Sequence, residues 1–127
     1  ISNGKVEELE TMRIRGTAIV IRDQKILLVR DRNKVEFSLP GGKQEKNEPV
    51  LATAIRELYE ELGMSARRAE RLFRCDYQGV VNLHKVALIE TDDDPVISSD
   101  ELSAFHWWDQ QEDLPRLKHV ERILANL

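Results

Sequence analysis

The stretch between Pro49 and Gly63 constrains the fold more than any other. Leu51, Ala54, Ile55, Leu58 and Leu62 recur at helical spacing and fall on one narrow face. Such a stripe specifies a helix laid against an apolar layer. Pro49 suits the first turn of that helix, where a missing N–H costs nothing. Nothing breaks the pattern until Gly63, which supplies the C-terminal stop. One helix cannot cover its own stripe, so the rest of the chain must provide the surface it packs on.

The flanking segments read as strands. Residues 1–11 are polar and read as a loose arm or a short helix. Residues 13–22 are rich in Ile, Val and Thr, Asp23-Gln24 is a turn, and residues 25–30 form the return strand of a hairpin. Residues 37–39 form a short strand that Pro40-Gly41-Gly42 ends, and residues 42–47 a loop. Beyond the helix, residues 69–78 and 80–90 read as two strands broken at Gly79. Residues 91–100 form an acidic loop. Residues 104–108 form a short strand with Phe105 and Trp107 on its core side. Residues 116–127 close the chain as an amphipathic helix with Leu117, Val120, Leu124 and Leu127 in one stripe. At 127 residues this is a single domain, 1–127. The order of strands, helix, strands, helix specifies an α/β domain with a mixed sheet between helices, not a doubly wound parallel fold.

The same central helix carries chemistry on another face. Glu57, Glu60 and Glu61 are three and four residues apart, within one arc of its surface. Like charges at that spacing repel by a few tenths of a kcal/mol each. A divalent cation with a preference for hard oxygen ligands removes the conflict. Alone, such a triplet is more often a solvated acidic face. The upstream context changes that balance. Gly41-Gly42 allows backbone to approach a ligand closely. Glu48 stands at the helix start, where a carboxylate suits the exposed N–H groups. Arg56 is two turns along and within reach of Glu48.

Together these residues resemble the Nudix box. Gly42, Glu48, Arg56-Glu57-Leu58, Glu60-Glu61 and Gly63-Met64 occupy every defined position of its pattern. Coincidence has a probability on the order of 10⁻⁷ or less. Lys46-Asn47 stands where relatives often have Pro-Gly, and Asn tolerates the left-handed turn. The resemblance implies an α/β/α sandwich and a Nudix pyrophosphohydrolase of the MutT-like type. Such an enzyme hydrolyses a diphosphate linkage in a nucleoside diphosphate derivative: a nucleoside triphosphate, a sugar nucleotide or a dinucleoside polyphosphate. It also implies Mg²⁺, with Mn²⁺ as a substitute, held by Glu57, Glu60, Glu61 and the backbone carbonyl of Gly41. Gly42, Glu48 and Arg56 would support the site. Many relatives use a further carboxylate near the end of the strand after the helix as ligand or base. Glu90 is the best match, and Asp92, Asp93, Asp94, Asp100 and Glu101 are rivals. Many relatives are dimers, and a homodimer is compatible with the sequence, which fixes no interface.

Residues that would choose the substrate are less sharply marked. Trp108 points away from Phe105 and Trp107 and is the best stacking surface for a base; Phe37 and Tyr77 are other aromatic candidates. Arg30, Arg32 and Lys43 are candidate phosphate contacts. His84 and His106 lie on strands without metal-ligand spacing, which favours surface or hydrogen-bonded roles. The formal charge of −4 does not favour a bulk grip on nucleic acid. It argues against the alternative of an RNA 5′-end pyrophosphohydrolase. A non-catalytic nucleotide-sensing module is the other alternative, and it would not require all three glutamates. The single cysteine, Cys75, reads as a buried inert thiol on a strand. With no apolar run of spanning length and no visible signal peptide, the expectation is a cytoplasmic protein without a membrane partner.

Overall fold

In the computed structural model, which describes residues 13–127, strands alternate between two buried faces. The arm expected over residues 1–11 lies outside the described residues. One sheet comprises β1 (Arg13–Ile19), β5 (Gly41–Lys43), β6 (Arg68–Arg71), β7 (Tyr77–Gln78) and β8 (Asn82–Glu90). The other comprises β2 (Ile21–Arg22), β3 (Lys25–Asp31), β4 (Phe37–Ser38) and β9 (Leu102–Trp108). The first sheet runs β5-β1-β8-β6, with β7 also on β8. It is mixed, because β1 and β8 are parallel from Arg13↔Asn82 to Ile19↔Leu88, whereas β5 and β6 are antiparallel to their neighbours.

Period-two alternation divides the core. Ala18, Val20, Leu27, Val29, Ala87 and Ile89 face one cluster, which helix α1 (Val50–Leu62) completes with Ala54, Leu58 and Leu62. Ile19, Ile26, Leu28 and Val86 face the other, which helix α2 (Lys118–Leu124) completes with Val120 and Ile123. Full burial of a leucine such as Leu58 or Leu62 stabilises by about 1.5–3 kcal/mol. Helix α1 ends at Gly63, whose φ of 66° is left-handed and whose N–H bonds the Tyr59 carbonyl. Among the described residues, no helix is long and apolar enough to cross a membrane.

Several elements depart from the sequence expectation. The strand expected over residues 13–22 is two, because the chain passes from one sheet to the other at Val20. The Asp23-Gln24 turn is present with both residues at positive φ, the geometry that suits a tight hairpin. Gly41–Lys43 is not loop but strand β5, since two glycines let backbone pair close beside β1 and against the Glu57 carboxylate of α1. Cys75 is buried as expected but lies in a 3-10 turn, Phe73–Cys75. The Asp76 carboxylate takes the Val86 N–H and two Arg71 donors, which holds this segment off the ladder. The closing helix is shorter than residues 116–127, and Leu127 is exposed.

Candidate active site

The site is built where α1 crosses β5. Glu57 and Glu61 are one turn apart on the flank of α1 beside the buried Leu58 and Leu62. That neighbourhood pulls both carboxylates inward. Glu61 is only 6% exposed and accepts a hydrogen bond from the Gly41 N–H at 3.2 Å. Burial pushes its carboxyl up to about 8, against the pull of Arg15 and Gly41, and the neighbouring Glu57 adds to the rise. Burial likewise raises Glu57 above the usual carboxylate range, while Arg56 lowers it. Gly42 is a position of close approach, since a Cβ there would overlap the Glu57 carboxylate.

Arg56 ties the loop before α1 to the helix. Its Nε donates to Glu48 Oε2 at 2.7 Å, its Nη2 to Glu48 Oε1 at 3.1 Å and to the Lys43 carbonyl at 3.2 Å. Glu48 also accepts from Glu45 N–H and the Thr53 hydroxyl. These bonds, Arg56 foremost, hold the Glu48 carboxyl down at about 2. The Arg56 Nη1 donates to Glu57 at 2.9 Å and to Glu60 at 3.1 Å. One guanidinium nitrogen therefore gathers part-buried Glu57 and exposed Glu60.

Glu57, Glu61, Gly41, Gly42 and Lys43 line one side of a cleft of about 710 Å³. Arg13 and Arg15 of β1 line it too, and the far wall carries Asp31, Arg32, Lys34, Asp100 and Glu101. Asp31 stands just past a register shift between Arg30 and Asp31, where the pairing with β9 skips from Ala104 to Leu102. Glu60 is not among the lining residues; its side chain is 55% exposed and pairs with Arg56.

Three expected site residues are elsewhere. Glu90 pairs with Arg67 at 3.7 Å, at the end of β8 remote from Arg13 and Arg15. The carboxylates outside the helix that do line the cleft are Asp100 and Glu101, ranked behind Glu90 in the sequence, and Asp31, which it did not single out. Asp92 pairs with Arg67, Asp93 accepts the Ser65 N–H, and Asp94 pairs with Arg22, so these three carboxylates are spent on structure. Arg30 donates to Ser103 and covers the Phe37 ring. Trp108 is 3% exposed, since the β9 register sets it opposite Ile26 in the α2-side core. Its indole N–H bonds the Glu112 carbonyl and Arg116 covers its ring, so it offers no stacking face. Arg15 was missed, because alternation sets it with Arg13 and Thr17 on one face of β1 and gives no local sign that its Nε is buried.

A second cavity, of about 530 Å³, is bordered by Tyr77, Val80, Asn82, His84, Leu117 and His119. His84 and His119 stack with centroids 4.3 Å apart. His84 Nδ1 meets the Thr17 hydroxyl at 2.8 Å, and His119 Nε2 accepts the Leu39 N–H at 3.3 Å. Burial pushes these imidazoles down to about 4 and about 3.

The donor set fits a divalent cation. Two carboxylates share one cleft wall, and the more buried one has no ion-pair partner among the described residues. A hard cation is the ligand that turns such a pair from a cost into a gain. In this geometry no three acidic, histidine or cysteine side chains converge on one point among the described residues. Glu57 and Glu60 are instead both bonded to Arg56.

Comparison with known proteins gives a family and a fold. Residues 12–125 match the NUDIX domain. The mouse (Mus musculus) protein named nucleoside diphosphate-linked moiety X motif 6 is 36% identical over 55 residues, which is 42% of this chain and 18% of that protein. A Lactococcus lactis subsp. cremoris (strain MG1363) protein named probable DHNTP pyrophosphohydrolase is 33% identical over 61 residues, 48% of this chain and 37% of that one. The matches thus span well under half the length of these curated relatives. The crystal structure of a MutT NUDIX hydrolase from Burkholderia pseudomallei superposes with a TM-score of 0.79 at 26% identity, covering 91% of this chain and 97% of that one.

Proposed function

The chain belongs to the NUDIX domain family, and on that premise we propose that it is a metal-dependent pyrophosphohydrolase acting on a nucleoside diphosphate derivative. The observation that carries the reading is the pair of carboxylates, part-buried Glu57 and buried Glu61, set against the glycine strand β5 in a cleft that also holds five basic side chains. Glu57 and Glu61, with Glu60 once it leaves Arg56, are the side chains that would hold Mg²⁺ or Mn²⁺; the Gly41 carbonyl completes the proposed set. The cation supplies charge neutralisation at the diphosphate and a water of lowered pKa.

The chain's own residues do the rest. Glu48 and Arg56 fix the loop that carries Lys43 onto α1, so the glycine strand and the glutamates keep one spacing. Lys43, Arg13 and Arg32 border the cleft and place positive charge beside the phosphates. Asp31, Asp100 and Glu101 replace Glu90 as the candidates for a carboxylate outside the helix, positioned to take a proton from the attacking water. The substrate is a nucleoside triphosphate, a sugar nucleotide or a dinucleoside polyphosphate.

The test is a substrate panel with Mg²⁺: nucleoside triphosphates, sugar nucleotides, dinucleoside polyphosphates and 5′-triphosphate RNA, with a Glu57→Gln variant in parallel. Turnover is expected on at least one small nucleotide, lost on chelation and reduced ~100-fold or more in the variant. Folded protein that binds a nucleotide and turns over none of the panel would overturn the proposal.

A further inference from the structure

Arg15 is the residue whose surroundings its structural role leaves unexplained. Its Nε is buried and has no hydrogen-bond partner among the described residues. Its Nη2 makes one long contact, 3.5 Å to the Leu39 carbonyl. No carboxylate lies within ion-pair distance among the described residues. An arginine has five donors in a planar fork, and a buried donor such as this Nε costs free energy unless an acceptor answers it. Retaining it points to a ligand group present during function.

The location says which kind of group. Gly16 faces α1, because a Cβ there would sit 2.8 Å from the Ala54 nitrogen and the Thr53 Cβ. Arg15 and Thr17 therefore face the other side of β1, toward the histidine stack. From there the Arg15 side chain lines the cleft with Glu57 and Glu61. Its register partners are Lys43 on β5 and His84 on β8. The Leu39 peptide joins it to the second cavity: the carbonyl faces Arg15 and the N–H is bonded to His119. Arg15 thus stands between the carboxylate wall and the cavity bordered by Tyr77, His84 and His119.

We propose that Arg15 binds a phosphate oxygen of the substrate at the junction of the two cavities, and so selects ligands whose phosphate chain runs from the glutamates toward the histidine stack. Planar bidentate donation to phosphate is what the guanidinium does best. The histidines support the arrangement without competing for the anion. Their inner nitrogens are taken by Thr17 and Leu39, so they hold the strand and the Leu39 peptide in place. The inference rests on the proposed pyrophosphohydrolase reading for the identity of the ligand, but its test does not need turnover.

The experiment is titration calorimetry of the intact chain without metal, using inorganic pyrophosphate and a nucleoside monophosphate as probes, on the parent, Arg15→Gln and Arg15→Lys. The expected result is at least ~10-fold weaker binding in Arg15→Gln and an intermediate loss in Arg15→Lys, with the melting temperature of Arg15→Gln unchanged or raised. On any substrate that is turned over, Arg15→Gln should raise KM more than it lowers kcat. Parent-like affinity in a folded Arg15→Gln variant overturns the assignment. So does a fall in melting temperature of both variants with affinity intact, which is the pattern of a structural arginine. Should the parent turn over no nucleotide yet bind pyrophosphate through Arg15, the activity reading fails and this one stands.

Discussion

Replacing Glu48 by glutamine tests the clamp quantitatively. The carboxylate takes two bonds from Arg56, one from the Thr53 hydroxyl and one from the Glu45 N–H. Its carboxyl falls from the ordinary 4.5 to about 2, which corresponds to at most about 3 kcal/mol. Glu48 and Arg56 side chains are 13% and 24% exposed, so solvent screening reduces this to about 2 kcal/mol. A carboxyl depressed in the folded state contributes stability that is fully present above 4.5 and is lost as pH falls through about 2. Urea unfolding at pH 7 should therefore show Glu48→Gln destabilised by about 2 kcal/mol, roughly 1 M in midpoint. Repeating the measurement down to pH 3 should shrink the gap between parent and variant. A gap that stays constant from pH 7 to pH 3, or widens, would refute the assignment of this stability to the charged pair.

Two further outcomes follow from the geometry. Gly42→Ala places a methyl in the Glu57 carboxylate, which sits at the far end of a flexible side chain and can swing aside. Activity on the preferred substrate should fall at least ~10-fold while the melting temperature stays within a few degrees, and parent-like kcat/KM would show that Glu57 need not occupy this position. The His84–His119 stack is held at about 4 and about 3, below the ordinary 6.5, so the unfolded chain binds more protons than the folded one. Stability should fall as pH drops from 6.5 toward 4, and His119→Gln should flatten that slope in urea midpoints; an unaltered slope would place the acid sensitivity elsewhere.

What could be read along the chain, and what could not, divides by the range of the interaction. The α1 stripe, its stop at Gly63 and the grouping of Glu57, Glu60 and Glu61 depend on residues a turn or two apart, and they were legible. The resemblance carried by Gly42, Glu48 and Arg56 has the same local character. Depth is not local. Glu60 and Glu61 are adjacent in sequence, yet Glu61 is 6% exposed under β5 while the Glu60 side chain is 55% exposed. That difference arises because two glycines let β5 pair with β1 beneath the helix, where the sequence suggested a loop.

Register is not local either, and it decides which residues face the cleft. Glu90 ends an apolar strand as expected, but parallel pairing of β8 with β1 carries that end away from Arg13 and Arg15. Asp31 ends another strand, just past the shift in its pairing with β9, and lines the cleft with the glutamates. The same pairing puts Trp108 opposite Ile26 and into the core. A one-residue slip in either ladder would exchange inner and outer faces, so strand ends and aromatic faces cannot be assigned from alternation alone. Arg15 shows the same limit. Alternation puts it on one face of β1 with Arg13 and Thr17, and only the fold buries its Nε without a partner among the described residues. A polar group left so placed is where a ligand is to be sought.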